Sequence, residues 1–64
     1  MKTITGKEAM KRLEAAGFAV IRINGSHHFM RHPDGRATVV PLHGNKPLKP
    51  GTQRQIERDV GFRF

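Results

Sequence analysis

The sequence predicts an α+β fold in which a three-stranded antiparallel sheet carries both helices on one face, in the order α-β-β-β-α. Two segments with apolar residues at helical spacing lie near the two ends of the chain. Three short segments rich in β-branched and aromatic residues lie between them, separated by turn sequences short enough for hairpins. With 64 residues, the chain is predicted to form a single domain over residues 1–64.

The first helix is predicted from Gly6 to Ala16. Thr5 and Glu8 form a capping-box pattern at its start, in which each side chain accepts a hydrogen bond from the other residue's backbone N–H. Gly17 follows the last helical residue and supplies the left-handed conformation that commonly ends a helix. The predicted buried stripe of this helix comprises Ala9, Met10, Leu13 and Ala16.

Three strands are predicted at Phe18–Ile23, Ser26–Arg31 and Ala37–Leu42. Asn24-Gly25 predicts a two-residue hairpin turn, because both residue types tolerate positive φ. The segment His32–Arg36 predicts a second turn, since it holds a proline followed by Asp-Gly.

These turns also predict a register and two sheet faces. Arg22 would pair with His27 and Met30 with Val39, whereas a bulge at Gly35 would shift the second register by one residue. Side chains alternate between faces along a strand. The predicted core face holds Ala19, Ile21, Ile23, Met30 and Val39, and the predicted open face holds Val20, Arg22, His27, Phe29, Arg31 and Val40.

The second helix is predicted to start at the capping-box pattern Thr52–Gln55, or one turn earlier at Pro50. Gly61 ends it. Phe62 and Phe64 are expected to return to the core.

The composition favours a polyanionic partner. Twelve Lys and Arg residues against five Asp and Glu give a net charge of +7 and a pI of about 11.3. Basic residues that neutralise phosphates release counterions, so nucleic acid is the expected partner. The chain has no cysteine and no apolar run of membrane-spanning length, and no apolar segment of a secretory signal follows its start. We therefore expect a soluble, cytoplasmic protein that does not engage a membrane.

Candidate proton chemistry lies directly after the first turn. Imidazole titrates near neutrality and can both accept and give a proton, so His27 is the candidate catalytic group. Gly25 and Ser26 would support it, and the predicted register brings His43 beside Ser26. His43 or water would take the second acid–base role. The alternative is that His27 is an exposed strand residue without a catalytic role.

A basic protein with one well-placed histidine can bind a polyanion and do proton chemistry on it, so an RNA-cleaving protein is the first hypothesis. Its candidate RNA-binding residues are all cationic, and no metal or other cofactor is expected. His27 and His28 point to opposite faces of a strand, and His28 and His32 lie about 13 Å apart at about 3.3 Å per residue, too far to share a zinc ion. The five acids are scattered along the chain. The candidate RNA contacts are Arg22, Arg31, Lys46, Lys49, Lys7 and Lys11.

Several segments resemble HicA-type toxins of prokaryotic toxin–antitoxin modules, and the resemblance covers nearly the whole chain. They are Gly25-Ser26-His27-His28, His32-Pro33-Asp34-Gly35, the run from Val40 to Lys46, and Gly51-Thr52. The resemblance implies a fold like a double-stranded-RNA-binding domain and a ribosome-independent, metal-independent mRNA endonuclease. It also places the catalytic histidine at His27 and implies a HicB-type antitoxin that covers the active site. Gln53 departs from the family, where an apolar residue is common, and is expected to weaken helix packing.

Two other hypotheses remain open at this point. A non-catalytic RNA-binding domain of the same fold would need basic residues but no special histidine. A DNA-binding accessory is less supported, because neither helix has a convincing base-reading face. For the endonuclease hypothesis, the predicted apolar patch of Val20, Phe29 and Val40 is a candidate docking surface for the antitoxin.

Overall fold

A computed structural model describes residues 2–64 and has the predicted order of elements. The three strands form one antiparallel sheet in the order β1-β2-β3. No helix within residues 2–64 is long and apolar enough to cross a membrane. The elements are α1 (Gly6–Ala15), β1 (Ala19–Asn24), β2 (His27–Arg31), β3 (Ala37–Pro41) and α2 (Pro50–Val60).

A single hydrophobic core joins both helices to one face of the sheet, as the sequence predicts. Leu13 of α1, Met30 of β2 and Ile56 of α2 are each at most 1% exposed. Phe62 and Phe64 pack against this core, which confirms their predicted return. The buried hydrophobic residues are Ala9, Leu13, Phe18, Met30, Val40, Leu48, Ile56 and Val60.

The two helix starts differ from each other. The Thr5 hydroxyl accepts a hydrogen bond from the Glu8 N–H at 3.1 Å, as predicted. The Glu8 carboxylate instead accepts from Arg12 Nε at 3.1 Å, on the exposed face of α1. At α2 the earlier of the two predicted starts is correct, since Pro50 is the first helical residue. Its N-terminal cap makes no side-chain hydrogen bond, so the capping box predicted at Thr52 does not form.

The first hairpin is shifted by one residue from the prediction. Asn24 pairs with His27, so Gly25 and Ser26 are the two turn residues, and Arg22 pairs with Phe29 rather than with His27. Gly25 has φ +60°, and no non-glycine residue in the described part of the chain has positive φ. A glycine with positive φ at the first turn position is the signature of a type II′ turn, whereas the predicted turn required positive φ at Asn24.

A β-bulge in β1 corrects the predicted core face. Val20 pairs with Met30 and Arg22 pairs with Phe29, which leaves Ile21 as an extra residue. Ile21 is 62% exposed and Ile23 is 60% exposed, and Ala19 is also exposed, so their predicted burial is wrong.

The second hairpin follows the register alternative with a one-residue shift. Gly35 has φ +100° and its N–H donates to the His32 carbonyl at 2.9 Å, which forms a three-residue loop with a left-handed glycine. Met30 therefore pairs with Thr38, and Val40 is fully buried while Val39 is 37% exposed. The predicted burial of Val39 and exposure of Val40 are both wrong.

Buried polar side chains tie distant segments together. Thr38 is buried on the core face of β3, and its hydroxyl donates to Asp59 Oδ2 of α2 at 2.9 Å. Gln53 is only 3% exposed, and its Oε1 accepts from the Ile4 N–H at 2.9 Å. Gln53 was expected to weaken helix packing, but its amide instead secures the N-terminal segment against α2.

The turn between β2 and β3 is closed by Asp34 and Arg36. Asp34 Oδ1 accepts from the Arg36 backbone N–H at 3.0 Å, and Oδ2 accepts from Arg36 Nε at 2.8 Å. The backbone hydrogen bond, followed by the side-chain bond and charge of Arg36, holds the pKa of Asp34 below its ordinary value of 3.8. Arg36 also donates to the Val60 carbonyl, so the turn is linked to the end of α2.

Asp34→Asn is expected to lower the melting temperature at neutral pH and to have less effect in acid. A carboxyl whose pKa is lowered by folding stabilises the fold above its unfolded pKa, and that contribution is lost as pH falls through the folded pKa. Circular dichroism melts from pH 7 to pH 3 measure this difference. If the melting temperatures of wild type and Asp34→Asn differ by the same amount across that range, the ionised carboxylate is not the stabilising group.

Candidate active site

One groove beside the first turn brings together the two histidines that the sequence singled out. We call it the His27 groove, and its volume is about 500 Å³. His27 opens β2, Pro41 closes β3 beside it, and the remaining lining belongs to the loop and first turn that lead into α2. The groove is lined by His27, Pro41, His43, Lys46, Lys49 and Thr52, with Pro47 and Leu48.

The turn chemistry fixes the position of His27. The Gly25-Ser26 turn makes His27 the first residue of β2, where it is exposed and paired with both Asn24 and Pro41. The Ser26 carbonyl accepts from the Leu42 N–H at 2.8 Å, which continues the β2–β3 pairing one step beyond β3. The predicted register placed His43 opposite Ser26, but the observed register places Leu42 there, and His43 is the next residue along the groove lining.

The loop that supplies the cations is anchored at its far end. Leu48 is 5% exposed in the core, and its N–H donates to the Ile4 carbonyl at 2.8 Å. Thr5 and Pro47 form an isolated β-bridge. Because these contacts fix the backbone on the core side, Lys46 and Lys49 stay on the exposed rim of the groove.

The His27 groove is electropositive. Among the residues that the structure describes, its lining includes two lysines and two histidines but no carboxylate. Within residues 2–64, neither Lys46 nor Lys49 lies within 4.0 Å of an acidic oxygen. Unneutralised ammonium groups at a groove wall favour a phosphate-bearing ligand.

The other predicted RNA contacts lie outside this groove. Arg22 sits over the Phe29 ring, with 5.0 Å from its Cζ to the ring centroid, on the open face of the sheet. Arg31 is at the opposite end of β2 from His27. Lys7 and Lys11 line a separate groove along α1 that also contacts Leu42. The structure therefore gathers Lys46 and Lys49 at His27, and distributes the other four cations elsewhere.

The groove excludes His28, as the alternation of side chains along β2 predicts, but it includes Thr52, which was predicted to cap α2. His28 Nδ1 lies 3.2 Å from the Ser26 carbonyl oxygen, and His28 is not among the residues that line the groove. Thr52 lines the groove rather than capping α2, and the signal for this was the alternative helix start at Pro50. Within residues 2–64, no three His, Asp or Glu side chains converge as a metal site would need.

The exposed apolar patch differs from the predicted one. Val40 is buried in the core and Val20 is half-buried against it, so neither forms an open docking surface. Ile21, Phe29 and Val39 instead line a shallow groove at the sheet. The bulge at Ile21 and the shifted second hairpin account for this change.

The arrangement suits acid–base chemistry on an anion. An exposed imidazole can take up or deliver a proton, a second imidazole lines the same groove, and two ammonium groups can stabilise negative charge that develops at a phosphate. Because no carboxylate of the described residues lines the groove, such a substrate meets no like charge there.

Comparison with known proteins gives one family. The model of the family described as "HicA toxin of bacterial toxin-antitoxin" matches residues 6–62, which include every element of the fold and the whole His27 groove. No curated protein matches the chain.

Proposed function

The chain belongs to the HicA family and is a toxin of a toxin–antitoxin system, and from that premise we propose that it is an mRNA endoribonuclease that needs no metal. The observation that carries the proposal is the His27 groove, which places two imidazoles and two lysines on one electropositive surface. The family membership makes an antitoxin its protein partner. A HicB-type antitoxin that covers the groove would silence it.

In the proposed reaction His27 acts on a ribonucleotide linkage as the general base. It takes the proton of the 2′-hydroxyl, and the 2′-oxygen attacks the adjacent phosphorus. The bond from phosphorus to the 5′-oxygen breaks, and that oxygen receives a proton from His43 or from water. The products are a 2′,3′-cyclic phosphate and a 5′-hydroxyl, and no metal or redox partner enters the balance.

The remaining groove residues would bind and orient the RNA. Lys46 and Lys49 would stabilise the charge of the five-coordinate phosphorus. Gly25 and Ser26 would support His27 through the geometry of the turn, and the Ser26 carbonyl accepts from the N–H of Leu42, the residue before His43. Arg22, Arg31, Lys7 and Lys11 would contact more distant phosphates, because none of them lines the His27 groove.

The direct test is incubation of the purified protein with a defined transcript in EDTA, followed by analysis of the product ends. We expect cuts that carry 2′,3′-cyclic phosphate and 5′-hydroxyl ends. A transcript that stays full-length after long incubation, but is bound, would replace the proposal with the non-catalytic RNA-binding domain.

His43→Gln tests the second acid–base role. If His43 protonates the leaving oxygen, the wild-type cleavage rate depends on pH with a bell shape, and the variant loses the limb that reports the acid. Rates at saturating RNA across pH 5 to 9 measure this profile. A profile that keeps both limbs in His43→Gln would assign that proton transfer to water.

A further inference from the structure

A second basic groove lies between α2 and the C-terminal residues. It has a volume of about 600 Å³ and is separate from the His27 groove. We call it the α2–tail groove. Its charged and aromatic lining comprises Lys2, Arg54, Arg58, Arg63, Phe62 and Phe64, together with Glu57.

The cations of this groove are not neutralised by the part of the protein that the structure describes. Within residues 2–64, no acidic oxygen lies within 4.0 Å of the charged nitrogens of Lys2, Arg54 or Arg63. Glu57 has the only acidic side chain among the described lining residues, and its Oε2 already accepts from the Phe64 N–H at 3.1 Å. Among the described lining side chains, four are therefore cationic and one is acidic, and that one is engaged in holding the tail.

Aromatic rings form part of the same surface. Phe62 and Phe64 are half-buried against the core, and their rings meet edge to face with centroids 6.0 Å apart. Cations beside aromatic rings suit single-stranded nucleic acid, in which phosphates bind the cations and bases stack on the rings. An acidic peptide would use the cations but would have less use for the rings.

The two grooves open on different sides of α2. Thr52 lines the His27 groove and Arg54 lines the α2–tail groove, and two residues correspond to about 200° around a helix axis. The surface between them is the exposed first turn of α2, where a Cβ added to Gly51 would meet no described atom within 4 Å. One helix is about 10 Å across, a distance that a few extended nucleotides can span.

From these observations we propose that the α2–tail groove binds the phosphodiester backbone of the RNA strand beyond the cleavage site. Arg54 and Arg63 contact phosphates, and the Phe62–Phe64 pair offers a stacking surface for a base. The inference rests on the proposed function, because it takes RNA as the ligand, but it does not depend on catalysis.

The test measures RNA binding in a His27→Ala background, so that cleavage does not interfere. Fluorescence anisotropy follows two labelled single strands, of about 4 and about 12 nucleotides, over salt from about 50 to 200 mM. Arg54→Gln and Arg63→Gln are compared with Arg12→Gln, which removes one exposed charge on α1. Neither Arg54 nor Arg63 makes a side-chain hydrogen bond within residues 2–64, so both variants are expected to fold.

We expect each groove variant to lower the slope of log affinity against log salt for the longer strand by about 0.7. The Arg54→Gln, Arg63→Gln double variant is expected to lower the affinity for the longer strand roughly tenfold at low salt. Its affinity for the short strand should be unchanged. Arg12→Gln is expected to change the affinity for neither strand.

Three results would overturn the assignment: groove variants that behave like Arg12→Gln, equal losses for both strands, or equal competition by polyglutamate or phosphatidylserine vesicles. If the wild-type protein binds the long strand through Arg54 and Arg63 but never cuts RNA, the nuclease proposal fails and the groove assignment stands. If it cuts RNA and these variants change nothing, the groove assignment alone fails.

Discussion

Replacing His27 with alanine is expected to abolish both RNA cleavage and toxicity. His27 is exposed in a groove with His43, Lys46 and Lys49, and a methyl group in its place can neither accept nor give a proton. General acid–base catalysis by one side chain contributes about 10²- to 10⁴-fold in rate, so the loss should be of that size. Induced expression in cells, with transcript length and growth followed in parallel, measures both effects.

The control is His32→Gln, another histidine close to the sheet but outside the His27 groove. His32 packs against Phe18 with ring centroids 5.1 Å apart, and its Nδ1 accepts from the Asp34 N–H. We expect this variant to retain cleavage, since its contacts serve the second turn. Equal RNA decay in wild type and His27→Ala would remove the imidazole from the mechanism.

Gly6→Ala is expected to cause the largest loss of stability. Gly6 is the buried first residue of α1, and a Cβ there would collide with the Pro41 carbonyl oxygen and lie 2.9 Å from Leu42 Cδ2. Overpacking of this kind costs about 1–3 kcal/mol, and more where the obstacle is backbone. A domain of this size has an unfolding free energy on the order of 3–10 kcal/mol, so the variant should lose a large part of it.

Gly51→Ala is the matched control, because Gly51 also lies in the first turn of a helix. Apart from its two chain neighbours and the nearby backbone of its own helix, no described atom lies within 4 Å of its Cβ position, and its φ is not positive. Alanine there should be neutral or stabilise by about 0.5–1 kcal/mol. Urea unfolding of the three proteins measures the differences. Equal destabilisation by both substitutions would show that close packing of α1 on β3 is not the cause.

Pro41 connects the Gly6 prediction to the His27 groove. It pairs with His27 at the end of the sheet and lines the groove, while its carbonyl lies against Gly6 on the other side. Gly6→Ala should therefore also reduce cleavage at temperatures where the protein is still folded.

Local patterns were enough to predict the order of elements and part of the site. The Thr5 cap, the Gly17 and Gly61 helix ends and the turn glycines each depend on nearby residues, and the structure has them in place. The sequence also predicted that the first turn meets the segment after β3, but the observed register places Leu42, and not His43, opposite Ser26. The helix ends and the turn glycines can be predicted without knowing which residues are buried.

The strand register was less predictable, because the segment Asn24-Gly25-Ser26 is compatible with two different two-residue turns. Asn24-Gly25 and Gly25-Ser26 are both acceptable two-residue turns, and the choice between them moves the partner of each β1 residue by two positions, as from His27 to Phe29 for Arg22. The bulge at Ile21 then restores Val20 to the core face. Packing against the helices decides such a bulge, and no local pattern in β1 indicates it.

The remaining features that the sequence did not predict depend on contacts between residues far apart in the chain. Gln53 is buried because its amide bonds to Ile4, 49 residues away. Leu48 is held by the same N-terminal segment, and this places Lys49 and Thr52 at the groove. The α2–tail groove likewise needs the N-terminal segment, α2 and the tail to meet. The i, i+4 spacing of Arg54 and Arg58 allowed two interpretations, a solvated helix face or a row of phosphate contacts, and did not indicate that the tail lies beside them.

The most direct measurement uses a transcript with a single 2′-deoxynucleotide placed immediately 5′ of a mapped cleavage site. If His27 draws the proton from a 2′-hydroxyl, the purified protein will no longer cut that linkage, while its other sites are cut at their usual rates. Cleavage of the deoxy-substituted linkage at an undiminished rate would contradict this account, because no internal nucleophile would remain for the imidazole to activate.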